Sequence, residues 1–496
     1  MNKTCALWME NELDAKQYLE YLIAYYPFDI DIKIVHSLLN KTTFPHPSLL
    51  EFIAYFSEIT KYHYVKKIVF NDSSLLQLWA NMAYLNQFNP YVLMTSDFSF
   101  CASIKTKKVQ VHNPYAHLPL DKILFVDQIV LHHLPLLNTK VTSNHSHIIK
   151  SNEFIYKNLS MNHQDYVALS IVITNIHATI YIPKRCSSII LSLCNMYALC
   201  PPPTHVDFIC IYGLNTSHNM NHYYHDETNR MMIGLISGDE EIDYFGCIKN
   251  MISCLYHTLC IEKNDLPIQG SMLELEKDNK LFSIVFLGNQ GSGKSEMIEE
   301  LSKQAIINGY QPRCIFDDVG TLHYLDNDIW ATGCEIGSFI GIDNSRNSYL
   351  FNHLSHSIFM NTKQKNAHII EPATLSKENI FAFHKVNALF YLNNYDMKDK
   401  IHFFTNLNEG KEVFLQGKFM NNDSIPQFQE IMFANPYGIL QNKEKSLALI
   451  HKFLDIIYIN NIDIGEIYTK FAYEEYRLLG LVECGVQLMN YINTCY

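Results

Sequence analysis

Arginine is scarce in this chain: Arg185, Arg230, Arg313, Arg346 and Arg477 are the whole set among 496 residues. Planar, two-pronged capture of carboxylates therefore has few agents. No basic cluster interleaved with aromatics occurs, and the formal net charge is −12. That balance argues against a nucleic-acid backbone as the main partner, because such binding rests on neutralising phosphates. No C-x-x-C pair exists; the 13 cysteines are scattered from Cys5 to Cys495. They read as reduced, buried and structural, which fits a cytoplasmic setting. No run approaches 18 apolar residues, and Glu10 and Glu12 interrupt the N-terminal stretch. Neither a membrane span nor a signal peptide is expected. Internal repeats and low-complexity segments are missing too.

What is present describes a folded protein. Hydrophobic residues at 48% against 18% charged supply a large core, and the length suggests two or three domains. Residues 1–60 read as helical, with Leu13, Tyr18, Leu19, Leu22, Ile23 and Tyr26 at helix period. Short apolar runs at 68–70, 123–126, 148–149, 167–173 and 178–182 read as strands. Residues 187–199 read as an amphipathic helix stopped by Pro201, Pro202 and Pro203, and 208–212 as a strand. The polar stretch 215–229 is the expected domain boundary. His222 and His225 lie in it, with His132, His133, His145 and His147 upstream. None of these pairs has a Glu or Cys at ligand spacing, so loop or capping roles are expected. Further on, 231–236 reads as a strand, 248–259 as a helix, 269–275 as a strand, and 466–479 as a helix with Ile467, Phe471, Tyr476 and Leu479 on its apolar side.

The most informative stretch is Gly288, Asn289, Gln290, Gly291, Ser292, Gly293, Lys294 and Ser295. It satisfies the G-x-x-x-x-G-K-[ST] phosphate-loop pattern. The apolar run 282–287 before it reads as a buried strand, and Met297, Ile298, Leu301 and Ala305 follow at helical spacing. A glycine-rich turn between strand and helix aims backbone N–H groups at a β/γ-phosphate, and the helix N-terminus adds partial positive charge. Lys294 would neutralise phosphate oxygens and Ser295 would bind Mg²⁺, with Mn²⁺ as the alternative ion. About twenty residues on, a strand is expected to end at Asp317 and Asp318. Carboxylates there reach a nucleotide-bound metal, or take a proton from an attacking hydroxyl.

The order of these parts resembles the ATP-dependent phosphoenolpyruvate carboxykinases. A Tyr-x-Gly-x-x-Lys element (Tyr244 to Lys249) precedes a helix, a Gly-Ser-Met strand, the phosphate loop and the Asp-Asp strand. Ala331-Thr-Gly-Cys-Glu-Ile-Gly337 resembles that family's Glu-Gly-Gly-Cys-Tyr-Ala-Lys segment, and Asn366-Ala-His368 its Asn-Thr-Arg segment. Residues 387–392, 414–418 and 433–436 are similar to later stretches, so the likeness covers roughly 205–450. Gly293-Lys294-Ser295-Glu296 also resembles the motif of the related HPr kinases. The resemblance implies an α/β fold of mixed sheets in a two-domain arrangement. It divides as an N-terminal mixed α/β domain at 1–225, a nucleotide-binding domain at 226–450 and a helical segment at 451–496.

By the same resemblance, Tyr244 and Lys249 lie near substrate and γ-phosphate, Lys294 and Ser295 hold the phosphates and metal, and Asp318 is the metal-binding aspartate. The departures matter as much. Asn250 stands where the family has a second Lys, and Met272-Leu273 where it has a His ligand, which weakens a transition-metal site. His368 replaces a substrate arginine. Oxaloacetate carries two carboxylates that arginine would hold. The expected function is therefore ATP- and Mg²⁺-dependent phosphotransfer to a small-molecule or protein acceptor other than oxaloacetate. A true carboxykinase and a non-catalytic ATP-binding scaffold are the alternatives. Neither nucleic acid nor membrane is an expected partner.

Overall fold

Two mixed sheets organise the chain, in a computed structural model. It describes residues 66–67, 91–94, 101–115, 117–131, 136–137, 148–152, 159, 161–214, 221–237, 245–289, 291–341, 358–360, 368–373, 375–398, 401–420, 427–428, 443–473 and 475–495. The first sheet contains β1 (Tyr91–Met94), β2 (Cys101–Lys107), β3 (Leu124–Leu131), β4 (Ile149–Lys150), β5 (Tyr166–Ile173) and β6 (Ile176–Pro183). After helix α1 (Ser187–Met196) it continues with β7 (Phe208–Leu214), β8 (Asn221–Asp226) and β9 (Met231–Ser237). The strand order is β1-β2-β3-β5-β6-β7-β9-β8-β4. Near-continuous apolar runs such as Val167–Ile173 arise because both faces of this sheet are covered.

Helix α2 (Phe245–Glu262) links the two halves and is buried along most of its length. It packs on β9 and on the second sheet, and its Ile248, Ile252 and Leu255 join the first sheet's core. The second sheet holds β10 (Leu266–Lys277), β11 (Lys280–Leu287), β12 (Gln311–Leu325), β13 (Asp328–Gly333), β14 (Ala388–Asn393), β15 (Ile401–Phe403) and β16 (Asp463–Tyr468). Its order is His384–Lys385, then β13-β12-β10-β11-β14-β16-β15. The β11-β14-β16 pairs are parallel and the rest antiparallel.

Side-chain alternation along β11 explains how both faces fill. Phe282, Ile284 and Phe286 point to one core with helices α3 (Lys294–Ile307) and α6 (Arg477–Cys495). Val285 and Leu287 point to the other, with α4 (Leu407–Gln416) and α5 (Lys443–Ile459). Helix α3 plants Met297, Ile298, Leu301 and Ala305 in the first of these. Truncating Leu301 to Ala would cost about 2–5 kcal/mol.

Several expectations need correction. Residues 466–479 are not one helix: β16 occupies Asp463–Tyr468, and α6 begins only at Arg477. Pairing on both edges decides this, since β16 lies between β14 and β15. A Cβ at Gly465 would sit 2.4 Å from the His402 carbonyl, so backbone approaches backbone there. Tyr476 and Leu479, expected on an apolar side, are exposed. Helix α1 stops at Met196, and Ala198–Leu199 instead pairs with β5.

The polar stretch expected as a boundary contains β8, which pairs with β9 from Asn221–Ile236 to Asp226–Met231. The division at 225/226 thus falls inside a hairpin of the first sheet, and that at 450/451 inside α5. His222 and His225 accordingly sit on a strand. His222 Nδ1 lies 2.8 Å from Ser151 Oγ, and His225 Nδ1 lies 3.3 Å from Glu262. The helix expected over 1–60, the 68–70 strand, and His132, His133, His145 and His147 lie outside the described residues. Among the described residues no helix is long and apolar enough to cross a membrane.

Candidate functional site

β11 runs straight into the 288–295 loop, and α3 starts at Lys294. Two glycines have left-handed backbone, Gly291 (φ 81°) and Gly293 (φ 92°), which a side chain rarely tolerates. A Cβ on Gly288 would come within 2.3 Å of Ser292 Oγ, so that position is closed to anything larger. The turn leaves the first N–H groups of α3 without intrahelical partners, the usual state of a helix start. Lys294 is buried and donates to the loop's own carbonyls, Gly288 O at 3.0 Å and Asn289 O at 3.1 Å.

Later parts of the chain brace this loop. Asn394, just past β14, donates to Gly291 O at 3.1 Å and to Met420 O at 2.9 Å. Thr469 Oγ1 donates to Ser292 O at 3.3 Å, and the Phe471 ring packs against Gly293. Parallel pairing of β14 and β16 beside β11 is what brings these residues to the end of the sheet where the loop begins.

Asp317 and Asp318 reach the loop from β12, with β10 lying between β12 and β11. The expectation that this strand ends at the carboxylates is corrected: β12 continues to Leu325. A register shift opposite Met272 and Leu273 leaves Ile315 as an extra residue, and Asp318 has φ 95°. Regular alternation would send neighbouring side chains to opposite faces. The left-handed backbone at Asp318 breaks that alternation and lets both carboxylates serve one site, at the strain such a backbone costs.

Ser295 Oγ donates to Asp317 Oδ2 at 2.7 Å. The resemblance pairs Ser295 with Asp318, whereas the geometry sets it against Asp317. Asp318 turns to the lysines: Lys249 Nζ donates to its Oδ2 at 2.7 Å, and Lys294 Nζ lies 3.9 Å from Oδ1. Lys249 also lies 3.2 Å from Glu335 Oε2, and Tyr197 donates to Glu335 Oε1 at 3.3 Å.

The electrostatics follow from burial. Desolvation raises Asp317 above the usual carboxylate range, against the Ser295 hydrogen bond and Lys294. Burial would also raise Asp318, but Lys249 and Lys294 outweigh it and hold that carboxyl low. Burial by itself would lower Lys249, yet Asp318 and Glu335 keep it above its ordinary value. Desolvation pushes Glu296 and Glu335 each up to about 7. His257, one helical face along α2 from Lys249, is driven down to about 3 by burial and by Lys249, and stays neutral.

The site therefore gathers Lys249, Lys294, Ser295, Asp317 and Asp318 as the sequence suggests. Tyr244 and Gln290 lie outside the described residues, as does Arg346. Met272 and Leu273 are core side chains on opposite faces of β10 and ligate nothing. Sequence reasoning missed Glu335, Tyr197, Asn394, Thr469 and Phe471 as site residues. Only Glu335 carried a local signal, as an acid within the Ala331–Gly337 segment; the others are brought in by tertiary pairing.

Whether these groups suit a divalent cation can be judged from Asp317. It is 7% exposed, and its Oδ1 has no hydrogen-bond partner among the described residues. Buried polar atoms of this kind normally have a partner. Four carboxyl groups (Asp317, Asp318, Glu296 and Glu335) lie within electrostatic reach of two ammonium groups (Lys249 and Lys294). That surplus of carboxyl groups, with a hydroxyl donating to the carboxylate that carries the orphaned oxygen, suits a Mg²⁺ ion completed by phosphate and water. A bound cation would favour the ionised form that burial disfavours. Among the described residues no group of three or more His, Cys, Asp or Glu forms an all-protein metal site. Compared with known protein families and curated proteins, the sequence matches no family model and no curated protein.

Proposed function

We propose that this chain is an ATP-binding, Mg²⁺-dependent phosphotransferase with the two-domain architecture of the carboxykinases and HPr kinases, and that its acceptor is not oxaloacetate. The observation that carries the reading is the Ser295–Asp317 contact at the start of the helix that follows the glycine loop. A hydroxyl at that helical position, against a buried acid two strands away, is the donor set that a metal–phosphate complex requires.

In this reading the N–H groups of the loop and of the first α3 turn hold the phosphates. Lys294 exchanges its bonds to Gly288 O and Asn289 O for phosphate oxygens. Ser295 and Asp317 hold Mg²⁺, which supplies positive charge to the phosphate oxygens when bound. The bond from the γ-phosphorus to the bridging oxygen breaks, and a new bond forms to the acceptor oxygen, whose proton leaves to a carboxylate. Asp318 is the carboxylate placed to take it, being partly exposed between the two lysines. Its low basicity is tolerable, because phosphoryl transfer is loose and the proton leaves late. Lys294 neutralises charge that builds on the transferred group, while Lys249 holds Asp318 in place beside it. The cysteines, scattered along the chain with no C-x-x-C pair, support a reducing, cytoplasmic setting.

Calorimetric titration with ATP tests this. Wild type should bind ATP saturably with Mg²⁺ and far more weakly in EDTA, and Lys294→Met should bind about 10- to 100-fold more weakly. Wild-type protein that binds no ATP with the metal present would overturn it.

A further inference from the structure

We propose that Glu335 is a specificity-determining residue: it occupies the Lys249 ammonium and so closes the acceptor side of the site to anionic acceptors, leaving neutral or cationic hydroxyl compounds as the substrate class. The proposal rests on the phosphotransferase reading for the word acceptor, but its physical content is a charge arrangement that can be tested without any turnover.

Lys249 is the cation an acceptor carboxylate or phosphate would seek beside Asp318, yet it already donates to one carboxylate and lies within ion-pair distance of a second, whose near oxygen has no hydrogen-bond partner among the described residues. Asp318 Oδ2 lies at 2.7 Å, Glu335 Oε2 at 3.2 Å, and the Phe339 ring centroid at 6.0 Å. Glu335 is itself buried, and it cannot swing aside cheaply. Tyr197 donates to its other oxygen. The backbone on either side is tied down: Cys334 Sγ donates to Val319 O, Ile336 N to Met196 O at 2.9 Å, and Ala373 N to Ile336 O at 2.7 Å. The carboxyl group is thus fixed by the end of α1 and presented to the lysine of α2. An incoming anion would have to displace the tethered Glu335 carboxyl group from a cation already shared with Asp318. Among the described residues three arginines are already engaged: Arg313 is held by Glu274 and Glu276, Arg185 reaches Gly213 O, and Arg477 lies on Phe471. A neutral hydroxyl meets no such opposition, and a cationic acceptor gains from the surplus carboxylates.

The probe is malonate, a small dicarboxylate, titrated into the full-length protein with and without Mg²⁺ and ATP. Wild type should bind it at least tenfold more weakly than Glu335→Gln, which frees one side of Lys249. Adding Lys249→Met to Glu335→Gln should abolish the gain. Tyr197→Phe, which unpins Glu335 and keeps its charge, should give a smaller gain and serves in its place if Glu335→Gln does not fold. Equal malonate affinity in wild type and Glu335→Gln would overturn the proposal, as would a gain that survives Lys249→Met. A gain seen only in the arms without ATP, from protein that binds no ATP, would sink the phosphotransferase reading while upholding the charge block.

Discussion

Ser295 Oγ and Asp317 Oδ2 stand 2.7 Å apart although one opens a helix and the other lies within a strand across the intervening β10. The bond ties the glycine loop to the carboxylate pair, and the second oxygen of Asp317 has no hydrogen-bond partner among the described residues.

Divalent-ion binding should depend on both partners. Ser295→Ala is expected to weaken Mg²⁺- or Mn²⁺-supported ATP binding about 10- to 100-fold, on the scale of losing a metal-site group. Because burial raises Asp317, a proton competes with the metal at higher pH than an ordinary aspartate would allow. Mn²⁺ affinity followed by electron paramagnetic resonance should therefore fall on acidification before free carboxylates titrate. A profile flat down to the normal aspartate range would contradict this.

Glu296 supplies a stability prediction. Its folded pKa, about 7, lies above the 4.5 of the unfolded chain. The folded state holds that proton more tightly, so stability is full below about 4.5 and is lost as pH rises towards 7. Glu296→Gln removes the loss. Its advantage in urea unfolding should be near zero at pH 4.5 and reach about 2–3 kcal/mol at pH 8. Bound Mg²⁺ should shrink the difference.

A separate network should show the opposite limb. Buried Glu274 accepts from Ser283 Oγ at 3.2 Å and lies 3.1 Å from His384 Nδ1, with Arg313 alongside. Burial would raise Glu274 and lower His384, but their mutual contact reverses both shifts. For Glu274, the added stability is present above its unfolded value of 4.5 and lost as pH falls through the lowered folded value. For His384, it is present below 6.5 and lost as pH rises through the raised folded value. His384→Ala should cost most, about 2–4 kcal/mol, between pH 4.5 and 6.5, and less at pH 9. Urea midpoints at pH 5.5 and 9 measure it.

The parts legible in the sequence were those fixed locally. The apolar run before Gly288, the helical spacing of Met297, Ile298 and Leu301, and the Gly-Lys-Ser string describe a strand–loop–helix whose backbone the glycines permit. What escaped was set by partners distant in sequence. Ile467 and Phe471 are as compatible with a helix as with a strand until β14 and β15 lie on either side of β16. Asn394 and Thr469 look like loop residues until parallel pairing sets them against Gly291 and Ser292. The exchange of Asp318 for Asp317 opposite Ser295 turns on one left-handed backbone angle, at Asp318. Periodicity carries no record of it.

The most direct test of the central claim follows the γ-phosphate. Wild type and Lys294→Ala are incubated with γ-labelled ATP and Mg²⁺, in parallel with oxaloacetate and with a cell lysate. The account predicts label on a protein or a small molecule other than phosphoenolpyruvate, and its loss in Lys294→Ala. Label appearing in phosphoenolpyruvate, or no transfer at all from ATP that is nonetheless bound, would contradict it.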